Sequence, residues 1–127
     1  MQDFRELKVW QRAHELTLRV YGVTGRFPAH ELYGLTSQMR RCAASIPANI
    51  AEGRCRRGDR EFGRFAQIAM GSAGELEYFV ILAGDLTYIT PKDREELERT
   101  VGEVKRMLAG LLECLAIADP AETDVRR

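Results

Sequence analysis

Apolar residues recur along this chain at steps of three and four, the period of an α-helix rather than of a strand. In the first such stretch Val9, Ala13, Leu16, Val20 and Val23 keep the step, and Trp10, His14, Leu18 and Tyr21 form an adjacent stripe. Together they predict a helix with a wide apolar face. Pro28 and the glycines of Gly25–Gly34 break the pattern and predict a loop. A second helix is expected from about Leu35 to Gly53, with Leu35, Met39, Cys42, Ile46 and Ile50 inward. Pro47 lies inside it and has no N–H for the carbonyl four residues back, which predicts a kink near Ala43–Pro47. Gly53 reads as its stop.

Arg54–Gly58 is a short arginine-rich connection, and Asp59 reads as the N-cap of a third helix. Phe62, Phe65, Ala69, Ser72 or Ala73, Leu76, Val80, Ala83 and Leu86 carry that helix over about 30 residues, roughly 45 Å. Small residues at Gly71–Gly74 would let another helix approach closely. Thr90 followed by Pro91 predicts the next helix start, a capping hydroxyl and then a proline at the first position. Leu97, Val101, Val104, Leu108, Leu111 and Leu115 give the most regular pattern in the chain. The fold class expected is all-α: an antiparallel up-down four-helix bundle with a kinked second helix, one domain over residues 1–118. Residues 119–127 carry no pattern and are expected to form a disordered tail. Apolar stripes wider than one bundle core needs point to self-association.

A chain of 127 residues can bury one hydrophobic core without covalent staples. No apolar run reaches the ~20 residues that cross a bilayer, so no membrane partner is expected. The mixed-charge start from Met1 to Lys8 resembles neither a secretory nor a transit peptide, which predicts a cytoplasmic address. The three cysteines, Cys42, Cys55 and Cys114, have no CxxC spacing, so neither a disulfide framework nor a zinc site is predicted. Cys42 and Cys114 lie in apolar helical stretches and are expected to be packing residues. Cys55 lies among arginines, which should favour its thiolate.

Charge changes the picture. The total is balanced, 19 basic against 19 acidic residues. Between Thr36 and Arg64, however, Arg40, Arg41, Arg54, Arg56, Arg57, Arg60 and Arg64 face only Glu52, Asp59 and Glu61, whereas the remainder to Arg127 is acidic. This stretch holds arginine and no lysine, and the planar guanidinium suits phosphate and stacked bases. The same run also reads as a solvated surface of weak ion pairs. The seven arginines are the candidate nucleic-acid-binding residues.

Catalytic and metal-binding patterns fail on inspection. Neither His14 nor His30 follows a glutamate by three, so the inward Glu-x-x-His pairs of a di-metal bundle are missing and no metal or other cofactor is expected. Glu75 and Glu77 stand two apart and face different ways. Gly53 and Gly58 have the glycine spacing of a P-loop, but Asp59-Arg60 stands where Lys-Ser/Thr is required. Gly71-Ser-Ala-Gly74 matches a nucleic-acid-clamping GXXG but lies in a helical pattern. Arg26 and His30, spaced somewhat like the arginine–histidine pair of HEPN-type ribonucleases, lie in a loop beside Pro28. His14 is expected to be a core or interface histidine. No nucleophile, base and orienter come together, so no catalytic residue, enzyme activity or small-molecule substrate is predicted.

Five segments carry a signature in order: Leu7-Lys-Val-Trp-Gln-Arg-Ala-His14, Tyr33-Gly-Leu-Thr-Ser-Gln-Met-Arg-Arg41, Ser45-Ile-Pro-Ala-Asn-Ile-Ala-Glu-Gly53, Glu61-Phe-Gly-Arg-Phe65 and Gly71-Ser-Ala-Gly-Glu-Leu-Glu77. Over residues 3–118 the chain resembles the four-helix-bundle family of 23S rRNA intervening-sequence proteins. The resemblance implies cytoplasmic bacterial proteins assembled as ring-shaped homopentamers, some encoded within insertions of 23S rRNA genes. It also implies a fold like that of the accessory protein of diversity-generating retroelements, which works with a reverse transcriptase and its template RNA. Beside Arg40, Arg41 and Arg64, the signature marks Gln38, Ser45, Pro47, Asn49, Glu52, Gly53, Glu61, Ser72 and Glu75, in part as structural residues. Cys42, Gly63 and Gly84 depart from it, standing where alanine or a larger helix former is expected. The function this implies is a homo-oligomeric, non-enzymatic module that binds structured RNA or an RNA–protein complex. The alternative is a protein–protein scaffold without nucleic-acid contact.

Overall fold

A computed structural model describes residues 3–118, so the expected tail at 119–127 lies outside the described residues. Four α-helices account for most of it: α1 Lys8–Thr24, α2 Leu35–Cys55, α3 Asp59–Asp85 and α4 Pro91–Ala118. Short 3₁₀ turns at Phe4–Glu6 and Ala29–Glu31 precede α1 and α2, and no strand occurs among the described residues. No described helix is long and apolar enough to cross a membrane.

The inner stripes meet in one core. Ala13, Leu16 and Val20 of α1, Met39, Ala43, Ile46 and Ile50 of α2, Ala69, Ala73, Leu76 and Val80 of α3, and Leu97, Val101, Val104 and Leu108 of α4 are fully buried. Of the second stripe of α1 only Trp10, half-buried, packs against it. Leu18 and Tyr21 are exposed, 59% and 47%, and His14 stacks on Trp10 at the surface with ring centroids 5.0 Å apart. Leu86 and Cys114, expected inside, are exposed, and Leu115 is only half-buried. Each stands near the C-terminal end of its helix.

Pro47 stays within a continuous α2 and is buried. The Ala43 carbonyl, deprived of its partner by Pro47, accepts the Thr17 hydroxyl of α1 at 3.1 Å, and the same hydroxyl lies 2.9 Å from the Ala13 carbonyl. A buried carbonyl without a partner would be costly, so Thr17 is what lets α2 carry a proline in its core.

Two glycines take roles other than those the pattern suggested. α2 runs past Gly53 to Cys55. A Cβ at Gly53 would stand 2.8 Å from Phe65 Cβ and 3.0 Å from Phe62 Cδ1, so this glycine lets α2 and α3 close on each other. Gly58, at φ 84°, makes the turn and is itself the N-cap of α3, which moves Asp59 from the cap to the first helical position. At that position its carboxylate still meets the positive end of the helix dipole.

Helix ends are tied across the molecule. Glu31 accepts from the Leu35 backbone N–H at 3.1 Å and from the Tyr88 hydroxyl at 2.9 Å, joining the start of α2 to the α3–α4 connection. Those two donors hold the Glu31 carboxyl below its ordinary range. The Thr90 hydroxyl accepts from Asp93 N–H at 3.1 Å, capping α4 as the Thr90-Pro91 pair predicted. Arg12–Glu103 (2.7 Å), Arg19–Glu96 and Arg26–Asp93 (3.2 Å) pair α1 and its end with α4.

Candidate nucleic-acid interface

The seven candidate arginines fall into two groups. Arg54, Arg56, Arg57, Arg60 and Arg64 gather at the α2–α3 corner because Gly53 brings the helices together and Gly58 turns the chain within a few residues. Arg40 and Arg41 lie more than three turns earlier on α2, about 20 Å away along the helix axis. Arg40 is committed to structure. Its Nε donates to Thr24 Oγ1 at 2.8 Å, a terminal nitrogen donates to the Tyr21 carbonyl at 3.3 Å, and its guanidinium carbon lies 4.8 Å from the Tyr21 ring centroid. It closes the C-terminus of α1 and is not a free phosphate ligand.

The corner is organised by two phenylalanines that the charge pattern alone did not bring in. The guanidinium carbons of Arg64 and Arg56 lie 4.5 and 5.3 Å from the centroid of Phe65. Arg54 lies 5.9 Å from the centroid of Phe62, with its Nε buried and without a hydrogen-bond partner. A ring face attracts the guanidinium without neutralising its charge, so Arg56 and Arg64 are held exposed over Phe65 while Arg54 is half-buried over Phe62. The signal in the sequence was Phe62 and Phe65 interleaved with Arg60 and Arg64 within about one and a half helical turns.

Carboxylates temper the patch. Arg64 donates to both oxygens of Glu61, at 3.0 and 3.3 Å. These bonds, with charge from Arg64, Arg56 and Arg60 beyond them, hold the Glu61 carboxyl below its usual range and raise Arg64 in turn. Arg56 donates to Glu52 at 2.7 Å. Arg57 is exposed and makes no hydrogen bond or ion pair among the described residues. Beside the corner a groove of about 310 Å³ opens between the start of α3 and the end of α4, lined by Arg60, Arg64, Gln67, Leu112 and Leu115 among others.

The signature residues sort along the α2–α3 seam. Gly53 and Pro47 are structural, as above. Ser45 and Ser72 share a hydroxyl hydrogen bond of 2.6 Å, and the Asn49 amide donates to the Ser45 carbonyl at 2.8 Å. Cys42 donates its thiol to the Ser72 carbonyl at 2.9 Å and to Glu75 at 3.4 Å. Burial first, then Glu75, pushes the Cys42 thiol up to about 12, so it stays protonated and inert. Gln38, Arg41, Cys42, Ser45, Ser72 and Glu75 line a second concavity of about 270 Å³. Cys55 is exposed at the edge of the arginine corner.

A crystal structure of a protein of unknown function from the S23 ribosomal protein family of Bacteroides thetaiotaomicron superposes with a TM-score of 0.77. At 24% identity, over 83% of this chain and 95% of the other, that likeness speaks for the fold alone. No curated protein matches the chain. The model of the 23S rRNA-intervening sequence protein family matches residues 5–110, spanning α1, α2, α3 and most of α4. The chain therefore belongs to the 23S rRNA-intervening sequence protein family.

Proposed function

We propose that the protein is a non-enzymatic, cytoplasmic, nucleic-acid-associated module that binds RNA or an RNA–protein complex through the arginine corner of α2 and α3. The observation that carries this reading is the corner itself: five arginines within eleven positions, three of them held over phenylalanine rings and four of them exposed. Membership of an rRNA-linked family agrees with it. Phosphate contacts position the nucleic acid, and Phe62 and Phe65 keep the guanidinium groups aligned for it.

The module acts as a homo-oligomer, a ring of five as the family resemblance implies. Leu18 and Tyr21 on α1 and Ile68, Tyr78 and Ile81 on α3 are apolar and exposed, two separate faces of the kind a head-to-tail ring needs. Partners along each helix pair meet in reversed order, Thr17 with Ala43 but Thr24 with Arg40, Cys42 with Ser72 but Gly53 beside Phe65, and Glu77 with Lys105 but Asp85 with Arg94, which supports an antiparallel up-down bundle. A ring multiplies one corner into several and adds avidity for a long polyanion. The test is a fluorescence-anisotropy titration of a structured RNA with the wild-type protein and the Arg56→Gln/Arg57→Gln/Arg60→Gln variant. Weaker binding by the variant supports the corner, and equal binding rejects it. A protein–protein scaffold is the second reading, favoured by the balanced total charge and by Tyr33, which is 94% exposed. A single protein recovered equally before and after nuclease treatment would favour that reading.

A further inference from the structure

We infer that the concavity between α2 and α3 reads one unpaired guanine of the RNA held at the arginine corner, an inference that rests on the nucleic-acid reading above. Arg41 and Glu75 line this concavity and are both exposed, yet they do not pair with each other. The Arg41 side chain makes no hydrogen bond or ion pair among the described residues, and the Glu75 carboxylate accepts only the Cys42 thiol. A donor fork and an acceptor carboxylate therefore stand open in one small space. Guanine presents two acceptors, O6 and N7, on its Hoogsteen edge, which a guanidinium binds bidentately. On its Watson–Crick edge it presents two donors, N1–H and the N2 amine, which suit a carboxylate. Adenine would turn its ring N1 acceptor toward Glu75.

Size and floor agree. About 270 Å³ is just under the ~300 Å³ at which drug-sized pockets begin, room for one base. The floor is rigid, because Ser45, Ser72, Asn49 and Cys42 bond one another. The side-chain amide of Gln38 at the rim has no partner among the described residues and offers both a donor and an acceptor to the sugar.

Register joins the two sites. Gln38, Arg41, Ser45, Asn49 and Glu52 recur at steps of three and four on one polar face of α2, and Glu52 accepts from Arg56 just past the helix end, so this face leads from the concavity to the corner. The fifteen residues from Arg41 to Arg56 span about 22 Å, and about six nucleotides at a rise of 3.4 Å cover it. Unpaired bases splayed from a strand in this way are the usual targets of sequence-specific RNA recognition.

The experiment uses fluorescein-labelled oligouridine RNAs of about eight nucleotides with one central substitution: guanine, adenine, inosine or 7-deazaguanine. Affinities are measured at one salt concentration for wild type, Arg41→Gln and Glu75→Gln, each checked for folding by thermal unfolding. Guanine should bind about tenfold tighter than adenine. Inosine lacks the N2 amine and should bind more weakly than guanine, a gap that Glu75→Gln closes. The 7-deaza base lacks N7, and Arg41→Gln should close that gap. Equal wild-type affinity for all four oligomers overturns the inference even where the Arg56/Arg57/Arg60 variant still weakens every one, an outcome that leaves the corner standing. Equal affinities with a changed oligomer mass in Arg41→Gln would assign the concavity to a contact between copies instead, and overturn it too. No binding of any oligomer, nor of the structured RNA, overturns both readings.

Discussion

Thr17→Val tests how α2 carries Pro47. Valine keeps the branched shape and removes the hydroxyl that lies 3.1 Å from the Ala43 carbonyl, the group that Pro47 leaves without an amide partner. Thr17 is buried, so water does not replace the missing bond. An unsatisfied buried carbonyl costs about 1–3 kcal/mol. Part of the hydroxyl's bonding goes to the Ala13 carbonyl, which already has helical partners, so the lower half of that range is expected: about 1–1.5 kcal/mol, or roughly 4 °C in Tm at fixed protein concentration. Pro47→Ala restores an N–H four residues after Ala43. In that background Thr17→Val should cost at least ~0.7 kcal/mol less, a coupling within the range that double-mutant cycles find for residues sharing a partner. The assay is urea unfolding followed by far-UV circular dichroism on all four proteins. Equal costs of Thr17→Val in both backgrounds would leave Thr17 as a bond within α1 only and rule out its role beneath Pro47.

Other outcomes follow from single positions. Gly53→Ala drives a Cβ to 2.8 Å from Phe65 Cβ and should destabilise by about 1–3 kcal/mol in the same assay, while Gly71→Ala, whose Cβ meets nothing within 4 Å, should stabilise the isolated chain. Thr87 sits at φ 62°, a left-handed backbone that a β-branched residue resists, so Thr87→Gly should raise Tm, with a stabilisation of about 0.5–1 kcal/mol. The Glu31 carboxyl is held below its ordinary value by Leu35 N–H and the Tyr88 hydroxyl. Its contribution is thus fully present above the unfolded carboxylate pKa and is lost as pH falls through the depressed folded value. Glu31→Gln should accordingly lose less stability than wild type between pH 5 and pH 3 in pH-dependent thermal unfolding, and an equal loss would count against this linkage.

The four helices were legible because each inner stripe keeps one period over many turns, as Leu97–Val101–Val104–Leu108 does. What single-helix reasoning missed depends on two helices at once. Gly53 reads as a stop until Phe62 and Phe65 stand opposite it, and the carbonyl that Pro47 leaves open on Ala43 has no visible partner until Thr17 supplies one. Leu18 and Tyr21 look like core from spacing alone, because spacing cannot say how much of an apolar arc the other helices cover. For the site, charge density located the corner and its five arginines. It could not separate Arg40, which a cation–π contact and two hydrogen bonds bind to α1, nor show that Arg41 and Glu75, thirty-four positions apart, line one concavity.

Whether the α2–α3 corner touches phosphate is decided by the salt dependence of RNA affinity. Removing one phosphate contact should flatten the plot of log affinity against log salt by about 0.7–0.9. For Arg56→Gln/Arg57→Gln/Arg60→Gln the expected result is weaker binding at low salt and a slope flatter by about 2 per subunit engaged. A wild-type slope near zero, or a steep slope that the triple variant leaves unchanged, would contradict a phosphate-binding corner.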